Sequence, residues 1–428
     1  MEKFEVIVVG GGLAGLSAAY TLAKEGVEVL LIERGDFSGA KNVTGGRLYL
    51  NPVRSLLPEL WAEAPLERYV GQETITIMGK AASVSIKLSS ESFRNEPRHS
   101  YTILRSKFDQ WFAERAAEAG AMLVTKQKVD DLIWEDGKVA GIVSGEDRIQ
   151  ANVVVAADGI MSLTTERAHL REEQKPRDFA VGIKEIIELP ARTIEERFNL
   201  GDGEGAAQMF MGSLTKGMFG GGFLYTNRES LSLGLVVGVA DLMAKKPPVE
   251  APELLEEFKF SKEIAPLIRG GETVEYSAHV IGEGGYKATP RLYSDGILVT
   301  GDAAGLNLNT GITVRGMEFA IASGVFAART IKLAKEANDF SRTSLAHYQE
   351  LMQDSFVLKD MRTFRDAPSF LENPRLFSLY PQVVCETLEK LMTIGEGPKG
   401  KLSSTAMREI RRKLGWSWLN ELRGALKI

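Results

Sequence analysis

The sequence of 428 residues predicts an α/β fold, in which a Rossmann-like nucleotide-binding domain in two parts is interleaved with an α+β domain and followed by a C-terminal helical region. Three observations predict this. A glycine-rich turn follows the first apolar run, and a second one follows the apolar run Ile297 to Thr300. After Phe340 the apolar periodicity is helical, with proline breaks.

The first turn has the spacing G-x-G-x-x-G that is typical of dinucleotide sites. Its glycines follow the run Phe4 to Val9, and they are Gly10, Gly12 and Gly15. Gly10 permits the tight turn, Gly12 lets a pyrophosphate touch the backbone, and Gly15 lets the next helix lie close to the sheet. We therefore predict a helix over Ala14 to Glu25, whose first amides, from Leu13 and Ala14 onward, face the phosphates.

An acid closes the next apolar run, Val27 to Ile32. This residue, Glu33, stands where a dinucleotide-binding fold places the carboxylate that accepts from a ribose hydroxyl. Strand, glycine turn, helix, strand and acid occur in the required order. The amino-terminal part of the chain is therefore predicted to bind a dinucleotide.

The second glycine-rich turn distinguishes FAD from NAD. Gly301 and Asp302 open the segment G-D-A-A-G directly after a predicted buried strand. In two-part FAD sites an aspartate at this place takes the ribityl hydroxyls, whereas an NAD domain has no use for it. We also predict a helix over Thr313 to Ile331, whose amino end would point at the flavin pyrimidine and stabilise negative charge on the reduced flavin. The predicted cofactor is FAD.

Composition restricts the remaining possibilities. The net charge of -5 argues against nucleic acid as a partner, and the one cysteine, Cys385, cannot supply an iron–sulfur ligand set. The four histidines are scattered without metal spacing, so no metal is expected. No stretch reaches the roughly 18 apolar residues of a spanning helix, and no signal segment precedes the first strand. A cytoplasmic protein is expected.

The predicted domains are interleaved. Alternating runs at 74–78 and 83–88 predict a second sheet, and longer strands at 179–188, 218–226 and 231–240 extend it, with a helical piece at 252–268. Between them the chain returns to the first domain through a helix that starts with a capping box of Ser106 and Asp109. The resulting boundaries are 1–72, 99–176 and 286–340 for the FAD-binding domain, 73–98 and 177–285 for the substrate domain, and 341–428 for the helical region.

Four stretches together resemble the electron-transfer flavoprotein:quinone oxidoreductases, and among them the Fix C type. They are I-E-R with G-A-K-N-V-T-G-G-R at 32–34 and 39–47, G-L-V-V-G at 234–238, E-G-G-Y at 283–286 and N-T-G-I-T-V-R-G at 309–316. The resemblance covers essentially the whole chain. It implies non-covalently bound FAD, a protein as electron donor and a quinone, menaquinone or ubiquinone, as acceptor at the membrane surface.

The resemblance also implies site residues. Gly284 and Gly285 would line the quinone pocket, where a flat ring must approach the backbone. Further FAD contacts beyond the residues above would come from Arg34, Lys41, Asn42, Arg105, Val129, Gly311 and Ile312. No catalytic acid, base or nucleophile is needed, because FAD can take electrons and pass them to a quinone itself.

The absence of a cysteine set bears on the partners. Long members of the family carry a four-cysteine iron–sulfur domain, which this chain lacks. The Fix C type uses a separate, small ferredoxin-like subunit and a two-subunit electron-transfer flavoprotein. In some complexes that flavoprotein bifurcates electrons from NADH, which is chemistry of the partner's flavins.

Peripheral contact with the cytoplasmic membrane is expected from one of two segments. The strand Met218 to Tyr225 could line the quinone route or dip into a leaflet, or else be packed sheet core. The tail Met407 to Ile428, with six basic and two acidic side chains, could sit on anionic lipid, dock a partner subunit or pack on the chain itself.

Two other functions share this fold. A flavin hydroxylase or isoprenoid-lipid reductase also has an Asp-Gly pair such as Asp158-Gly159, but the following I-M-S-L lacks the arginine usual in hydroxylases. A non-enzymatic carrier of prenylated proteins would have lost its flavin contacts, whereas the three glycines, Glu33 and Asp302 are intact.

Overall fold

The computed structural model describes residues 2–41 and 46–415. In chain order the strands of the described residues are β1 Lys3–Val9, β2 Val29–Ile32, β3 Arg47–Tyr49, β4 Tyr69–Met78, β5 Ser83–Ser89, β6 Ser100–Thr102, β7 Met122–Val124, β8 Asp131–Glu135, β9 Lys138–Ser144, β10 Asp147–Ala156, β11 Phe179–Glu188, β12 Glu204–Gly212, β13 Gly220–Thr226, β14 Ser230–Gly238, β15 Glu272–Gly282, β16 Tyr293–Ser294, β17 Ile297–Val299, β18 Leu308–Asn309 and β19 Val314–Arg315.

The α-helices of the same residues are α1 Leu13–Lys24, α2 Glu91–Arg94, α3 Arg105–Glu118, α4 Leu163–Arg167, α5 Ala191–Phe198, α6 Val239–Ala244, α7 Ala251–Lys259, α8 Ala265–Ile268, α9 Met317–Glu336, α10 Arg342–Leu345, α11 His347–Asp354, α12 Phe356–Thr363, α13 Ala367–Leu371, α14 Leu379–Met392 and α15 Leu402–Leu414. Short 3-10 helices include Pro176–Asp178, Gly285–Ala288 and Gly301–Ala304.

The first sheet has a parallel centre. Its eight strands include the parallel series β17-β10-β1-β2-β7, with β16, β9 and β8 added antiparallel. Helices α1 and α9 pack against each other so closely that a Cβ on Gly324 of α9 would lie 2.2 Å from the Ala14 carbonyl oxygen of α1. Because parallel strands are buried on both faces, β1 and β2 are apolar almost throughout, as the sequence shows. All carboxyl ends of the parallel series meet at one edge.

The second sheet has nine strands in the order β15-β11-β14-β13-β12-β4-β6-β3, with β5 paired to β4. Only the pair β4 and β12 is parallel. A separate apolar cluster lies on this sheet and is closed by α7, whose Phe258 contacts Phe210 with ring centroids 5.0 Å apart. The predicted α/β class with a second, α+β sheet and C-terminal helices is confirmed.

Several predicted elements coincide with the observed ones. Strand β11 has the predicted bounds, and β9 does as well. The segment Met218 to Tyr225 contributes β13, which lies between β12 and β14, and Met218 and Leu224 are buried. Of the two interpretations of that segment, packed sheet core is the one that the structure shows.

Two local predictions were wrong. The capping box at Ser106 does not form, because α3 begins at Arg105 after Leu104, and Asp109 instead pairs with Arg105. Helix α9 begins at Met317 rather than Thr313, because Thr313 closes a tight turn by accepting from the Thr310 amide and precedes the hairpin strand β19.

Strand membership also differs at two places. Strands β3 and β6, which fall within segments assigned to the FAD-binding domain, pair in the second sheet. Strands β12 and β15 were not predicted. The domain boundaries as a whole stay a prediction.

The described residues contain neither a membrane-spanning helix nor a metal-binding cluster. No helix there is long and apolar enough to cross a bilayer. Within the same ranges no group of three or more His, Cys, Asp or Glu side chains could hold a metal ion. Cys385 is a buried free thiol whose Sγ lies 3.5 Å from the Ile77 carbonyl oxygen.

Candidate functional site

A large cavity opens at the carboxyl edge of the parallel sheet. It is lined by residues that follow β1, β2, β10 and β17, the four strands whose ends meet there. The second sheet contributes the opposite wall through the end of β15. Ligands of open α/β sheets bind outside the carboxyl ends of the strands, so the fold itself points to this cavity.

The glycines of the first turn have separate roles. Gly10 has a φ of +107°, and a Cβ there would lie 2.3 Å from the Ala157 carbonyl oxygen. A Cβ on Gly15 would lie 2.0 Å from the Gly10 carbonyl oxygen, so this glycine permits close packing of helix and strand. Gly12 lines the cavity, and a Cβ there would meet no atom within 4 Å. The space beside Gly12 is where a pyrophosphate fits.

The amino end of α1 faces the same space. Gly12 is its N-cap and offers no side-chain acceptor, so the first amides of the helix are left for another partner. Leu13 and Ala14 line the cavity. Unpaired amides and the helix dipole together favour an anion at this end.

Glu33 is held in place by the backbone. Its Oε2 accepts from the Gly11 amide at 2.7 Å and its Oε1 from the Gly35 amide at 2.6 Å. The carboxylate lines the cavity, and each oxygen keeps a lone pair for a further donor. Its position suits the hydroxyls of a ribose next to the pyrophosphate space.

Asp302 lies across the cavity on the 3-10 helix after β17. Gly301 before it has a φ of +60° and lies so close to α1 that a Cβ would be 2.7 Å from the Ala14 Cβ. The Asp302 carboxylate faces the cavity without a hydrogen-bond partner in residues 2–41 and 46–415. Desolvation raises the pKa of Asp302, while the charge of Arg105 opposes that rise. Hydroxyl donors such as those of a ribityl chain would satisfy this carboxylate.

Arg105 is buried at the start of α3. Its Nε and Nη2 donate to Asp109 Oδ1 and Oδ2, each at 2.8 Å. Desolvation lowers the pKa of Arg105, but the charges of Asp109 and Asp302 outweigh it and the net shift is upward. The guanidinium therefore stays charged at the cavity wall.

The amino end of the long helix α9 points into the other end of the cavity. Gly316, its N-cap, has no side-chain cap, and both Gly316 and Met317 line the cavity. Arg315 beside them donates to Glu318 and Asp360, each at 2.6 Å. A helix amino end at this place favours negative charge on a bound group.

Ten of the predicted cofactor residues line the cavity. They are Gly10, Gly12, Leu13, Ala14, Glu33, Arg34, Lys41, Arg105, Val129 and Asp302. Gly15 and Gly301 act through packing instead, and Gly311 and Ile312 lie outside the cavity wall, Ile312 being 63% exposed. Asn42 lies outside the described residues.

The two predicted quinone glycines do not line this cavity, although Gly282 and Glu283 just before them do. Gly285 is buried with a φ of +58°, and a Cβ there would lie 2.9 Å from the Pro368 Cγ of α13. Gly284 precedes the 3-10 helix Gly285–Ala288 and packs against it, because a Cβ on Gly284 would lie 2.4 Å from the Ala288 Cβ.

Several cavity residues were not predicted as site residues. They are Arg47, Asp158, Gly159, His279, Glu283, Asn307, Asn309, Arg315 and Gly316, among others. Asp158 accepts from the Thr164 amide at 2.9 Å, and burial raises its pKa. The Asp-Gly pair is a signal in the sequence, but no site role was predicted for it. No sequence feature indicated His279 as a site residue, because the strand that carries it, β15, was not predicted.

Glu283 and Asn309 form a polar pair in the wall near β15. Glu283 Oε2 accepts from Asn309 Nδ2 at 3.2 Å, and burial raises the pKa of Glu283 to about 7. Arg47 enters the same cavity from β3 and forms an ion pair with Glu73.

The arrangement fits FAD. An open space beside Gly12 and the carboxylates of Glu33 and Asp302 line one cavity, and these are the groups that a pyrophosphate, a ribose and a ribityl chain require. No nucleophile with an adjacent general base lines it in the described part of the chain. The chemistry that it can support is binding and electrostatic tuning of a redox cofactor.

Comparisons with known proteins agree with this geometry. Family models match the chain as an FAD binding domain over residues 3–187, an ETF-QO ubiquinone-binding domain over 179–281 and an ETF-QO/FixC family C-terminal domain over 367–422. "Protein FixC" of Escherichia coli is 45% identical over 426 residues, which are 100% of this chain and 98% of that protein. A "probable electron transfer flavoprotein-quinone oxidoreductase YdiS" of Escherichia coli is 44% identical over 96% of this chain and 95% of its own length.

Among solved structures, a geranylgeranyl bacteriochlorophyll reductase-like protein from Thermoplasma acidophilum superposes with a TM-score of 0.73. The two chains are 22% identical, and the match covers 99% of this chain and 100% of the other. At this identity the likeness shows the fold alone. The chain is an FAD-binding oxidoreductase.

Proposed function

The chain belongs to the electron-transfer flavoprotein:quinone oxidoreductase (ETF-QO)/FixC family, and from that premise we propose that it passes electrons from a two-subunit electron-transfer flavoprotein to a membrane quinone. A separate, small ferredoxin-like subunit would carry the electrons between the flavoprotein and this chain. The observation that supports this most directly is the cavity itself, which joins the FAD-binding edge of the first sheet to the end of β15 in the segment that matches the ubiquinone-binding model.

FAD supplies the redox chemistry, because a flavin can exchange electrons singly or in pairs. The residues of the chain bind and orient it. Glu33 would hold the adenosine ribose and Asp302 the ribityl hydroxyls, while the amino end of α9 stabilises negative charge near the flavin ring. The charge of Arg105 opposes the rise that desolvation produces in the pKa of Asp302.

The iron–sulfur centre must come from another subunit. The sequence has one cysteine, and its thiol is buried against β4. A four-cysteine cluster cannot be built on it. This supports a separate ferredoxin-like partner.

The acceptor is proposed to be ubiquinone or menaquinone. Gly284 and Gly285 remain the proposed quinone residues, and they follow the cavity residues Gly282 and Glu283 directly in the chain. A ring that enters past β15 would therefore reach the cavity and these glycines together.

Peripheral contact with the cytoplasmic membrane is also proposed, through the C-terminal region. Helix α15 carries Arg408, Arg411, Arg412 and Lys413, and exposed apolar side chains lie close by in sequence, with Met392 78% and Ile394 75% exposed. Basic and apolar groups side by side suit an anionic lipid surface. Part of the charge of α15 is paired with α14. Lys413 of α15 forms an ion pair with Glu386 of α14, and Glu409 of α15 forms one with Lys390 of α14. Residues 416–428 of the predicted basic tail lie outside the described residues.

The test is a stepwise reconstitution. The purified chain should be yellow, and NADH alone should not bleach it. Addition of the electron-transfer flavoprotein and the ferredoxin-like subunit should permit reduction of the flavin, and a short-chain ubiquinone or menaquinone should then reoxidise it. Rapid, stoichiometric bleaching of the isolated chain by NADH would overturn the proposal and favour a hydroxylase or lipid reductase.

A further inference from the structure

Glu283 occupies an unusual position for a carboxyl group. It follows β15 directly, and its side chain lies in the cavity wall. Asn309 Nδ2 donates to its Oε2 at 3.2 Å, whereas Oε1 has no hydrogen-bond partner among the described residues. No lysine or arginine of those residues forms an ion pair with it.

The orientation of the Asn309 amide is determined by a second contact. Its Oδ1 accepts from the Gly311 amide at 2.9 Å, so its NH₂ group must face Glu283. A neutral amide donor therefore fixes the carboxyl group without neutralising its charge. Burial without a cation raises the pKa of Glu283 to about 7.

Charged groups on the neighbouring elements are engaged elsewhere. Asp178 Oδ2 accepts from the Lys175 amide at 2.9 Å, and Lys287 pairs with Asp366 at 3.0 Å. Arg315 on β19 is paired with Glu318 and Asp360. None of these basic groups forms an ion pair with Glu283.

The other titratable groups on the neighbouring elements do not compensate the negative charge of Glu283 either. Arg362 of α12 lies over the Tyr286 ring, 5.9 Å from its centroid. Desolvation, together with the charges of Arg34 and Arg105, lowers the pKa of His279, so that imidazole is neutral at pH 7. Asp302 faces the charge of Arg105 across the cavity. Among the described residues, Glu283 thus has only the neutral Asn309 amide as a side-chain partner.

We propose that Glu283 is a catalytic residue of the quinone half-reaction and donates a proton to a quinone oxygen. The proposal rests on the proposed function. Conversion of a quinone to a hydroquinone adds two electrons and two protons. An anionic reduced flavin would supply both electrons and one proton, and the Glu283 O–H bond would break as the second O–H bond forms on the quinone. The carboxylate that remains takes up a proton from water before the next turnover.

The first test is spectroscopic and needs no quinone. Infrared difference spectra of the FAD-loaded chain between acid and alkaline pH should show a protonated carboxyl band that disappears with a midpoint near pH 7, the value to which burial raises this pKa. The Glu283→Gln variant should lack this band, and Glu272→Gln, a change at an exposed position at the start of β15, should keep it. A native chain without a carboxyl that titrates in this range would overturn the proposal.

The second test separates the two half-reactions in the assembled complex. In Glu283→Gln the flavin should be reduced by the donor proteins at the native rate. Its reoxidation by a short-chain ubiquinone should be slower by about a hundredfold and lose its dependence on pH. Glu283→Asp should restore a pH-dependent rate. If the native complex is reoxidised by quinone and Glu283→Gln matches its rate and pH profile, the proton role is refuted. If quinone does not reoxidise the native complex, the proposed function itself fails.

Discussion

Arg105 and Asp109, one helical turn apart on α3, form a bidentate ion pair at the cavity wall, with both N–O distances at 2.8 Å. Both side chains are buried, Asp109 completely so. The pair fixes the guanidinium that faces Asp302. The loop after β2 packs against the same turn of α3, because a Cβ on Gly39 would lie 2.8 Å from the Arg105 carbonyl oxygen.

Replacing Asp109 with alanine should therefore destabilise the fold strongly. Removal of Asp109 leaves a buried guanidinium without its hydrogen-bonded carboxylate, which costs about 3 to 5 kcal/mol of unfolding free energy. Urea denaturation of the FAD-free chain measures this. The matched control is Glu59→Ala, which breaks the exposed pair of Lys24 and Glu59 and should cost at most about 1 kcal/mol. Equal effects of the two variants would contradict the structural role of Asp109.

The glycines of the first turn should separate binding from stability. Gly12 has a φ of −86° and open space beside it, so Gly12→Val should fold with a loss of at most about 1 kcal/mol and fail to hold FAD. Gly15→Val would collide with the Gly10 carbonyl and should cost about 1 to 3 kcal/mol or more. Thermal unfolding of the FAD-free variants measures the loss of stability, and titration with FAD measures the loss of binding. Native FAD affinity in Gly12→Val would refute the pyrophosphate position.

Two carboxylates should account for much of the FAD affinity. Glu33→Gln and Asp302→Asn keep the shape of each side chain but remove its charge. Each change should weaken binding by about ten- to a hundredfold, since charge-assisted hydrogen bonds contribute about 1.5 to 3 kcal/mol. Binding is measured by titration of FAD into the FAD-free protein. Asp36→Asn, at an exposed position beside the Glu33 loop, should bind FAD normally. Retention of stoichiometric FAD by the double variant would contradict the assignment.

How far the sequence predicts this site depends on whether the signal is local. The glycine turn, Glu33 and Asp302 are specified by neighbours in the chain, and each lies at the predicted cavity edge. The start of α3 was predicted wrongly, because the Asp109 carboxylate pairs with the buried Arg105 guanidinium instead of accepting from a backbone amide as in a capping box. Glu283 was missed for a similar reason. Its pKa depends on burial and on Asn309, which reaches it only in the fold.

Stability should depend on pH through Glu283. Burial raises its pKa in the folded chain to about 7, above the ordinary value of 4.5, so the folded chain binds the proton more tightly than the unfolded chain does. Its contribution is therefore fully present below about pH 4.5 and is lost as the pH rises through about 7. Relative to the native FAD-free chain, Glu283→Gln should gain roughly 3 kcal/mol of unfolding free energy between acid and alkaline pH. Parallel pH profiles of the two proteins, measured by urea denaturation, would disprove the shift.

The last prediction concerns Gly285, the proposed quinone residue that packs against Pro368. Gly285→Val places a branched side chain on a residue with a φ of +58° and a Cβ position 2.9 Å from the Pro368 Cγ. We expect reoxidation of the flavin by a short-chain quinone to slow, while FAD content and reduction by the donor proteins stay near the native level.

Backbone strain and the loss of the quinone position can be told apart by a matched control. Gly270 has a φ of +75° with open space around it, so Gly270→Val imposes similar strain away from the cavity and should leave reoxidation unchanged. Crowding against α13 could also slow reoxidation in Gly285→Val. In that case a second change, Pro368→Ala, should partly restore the reoxidation rate, because it removes the Cγ atom that a side chain at position 285 would meet. Unchanged reoxidation in a folded Gly285→Val protein would instead move the quinone position away from Gly285, towards the cavity wall formed by Gly282 and Glu283.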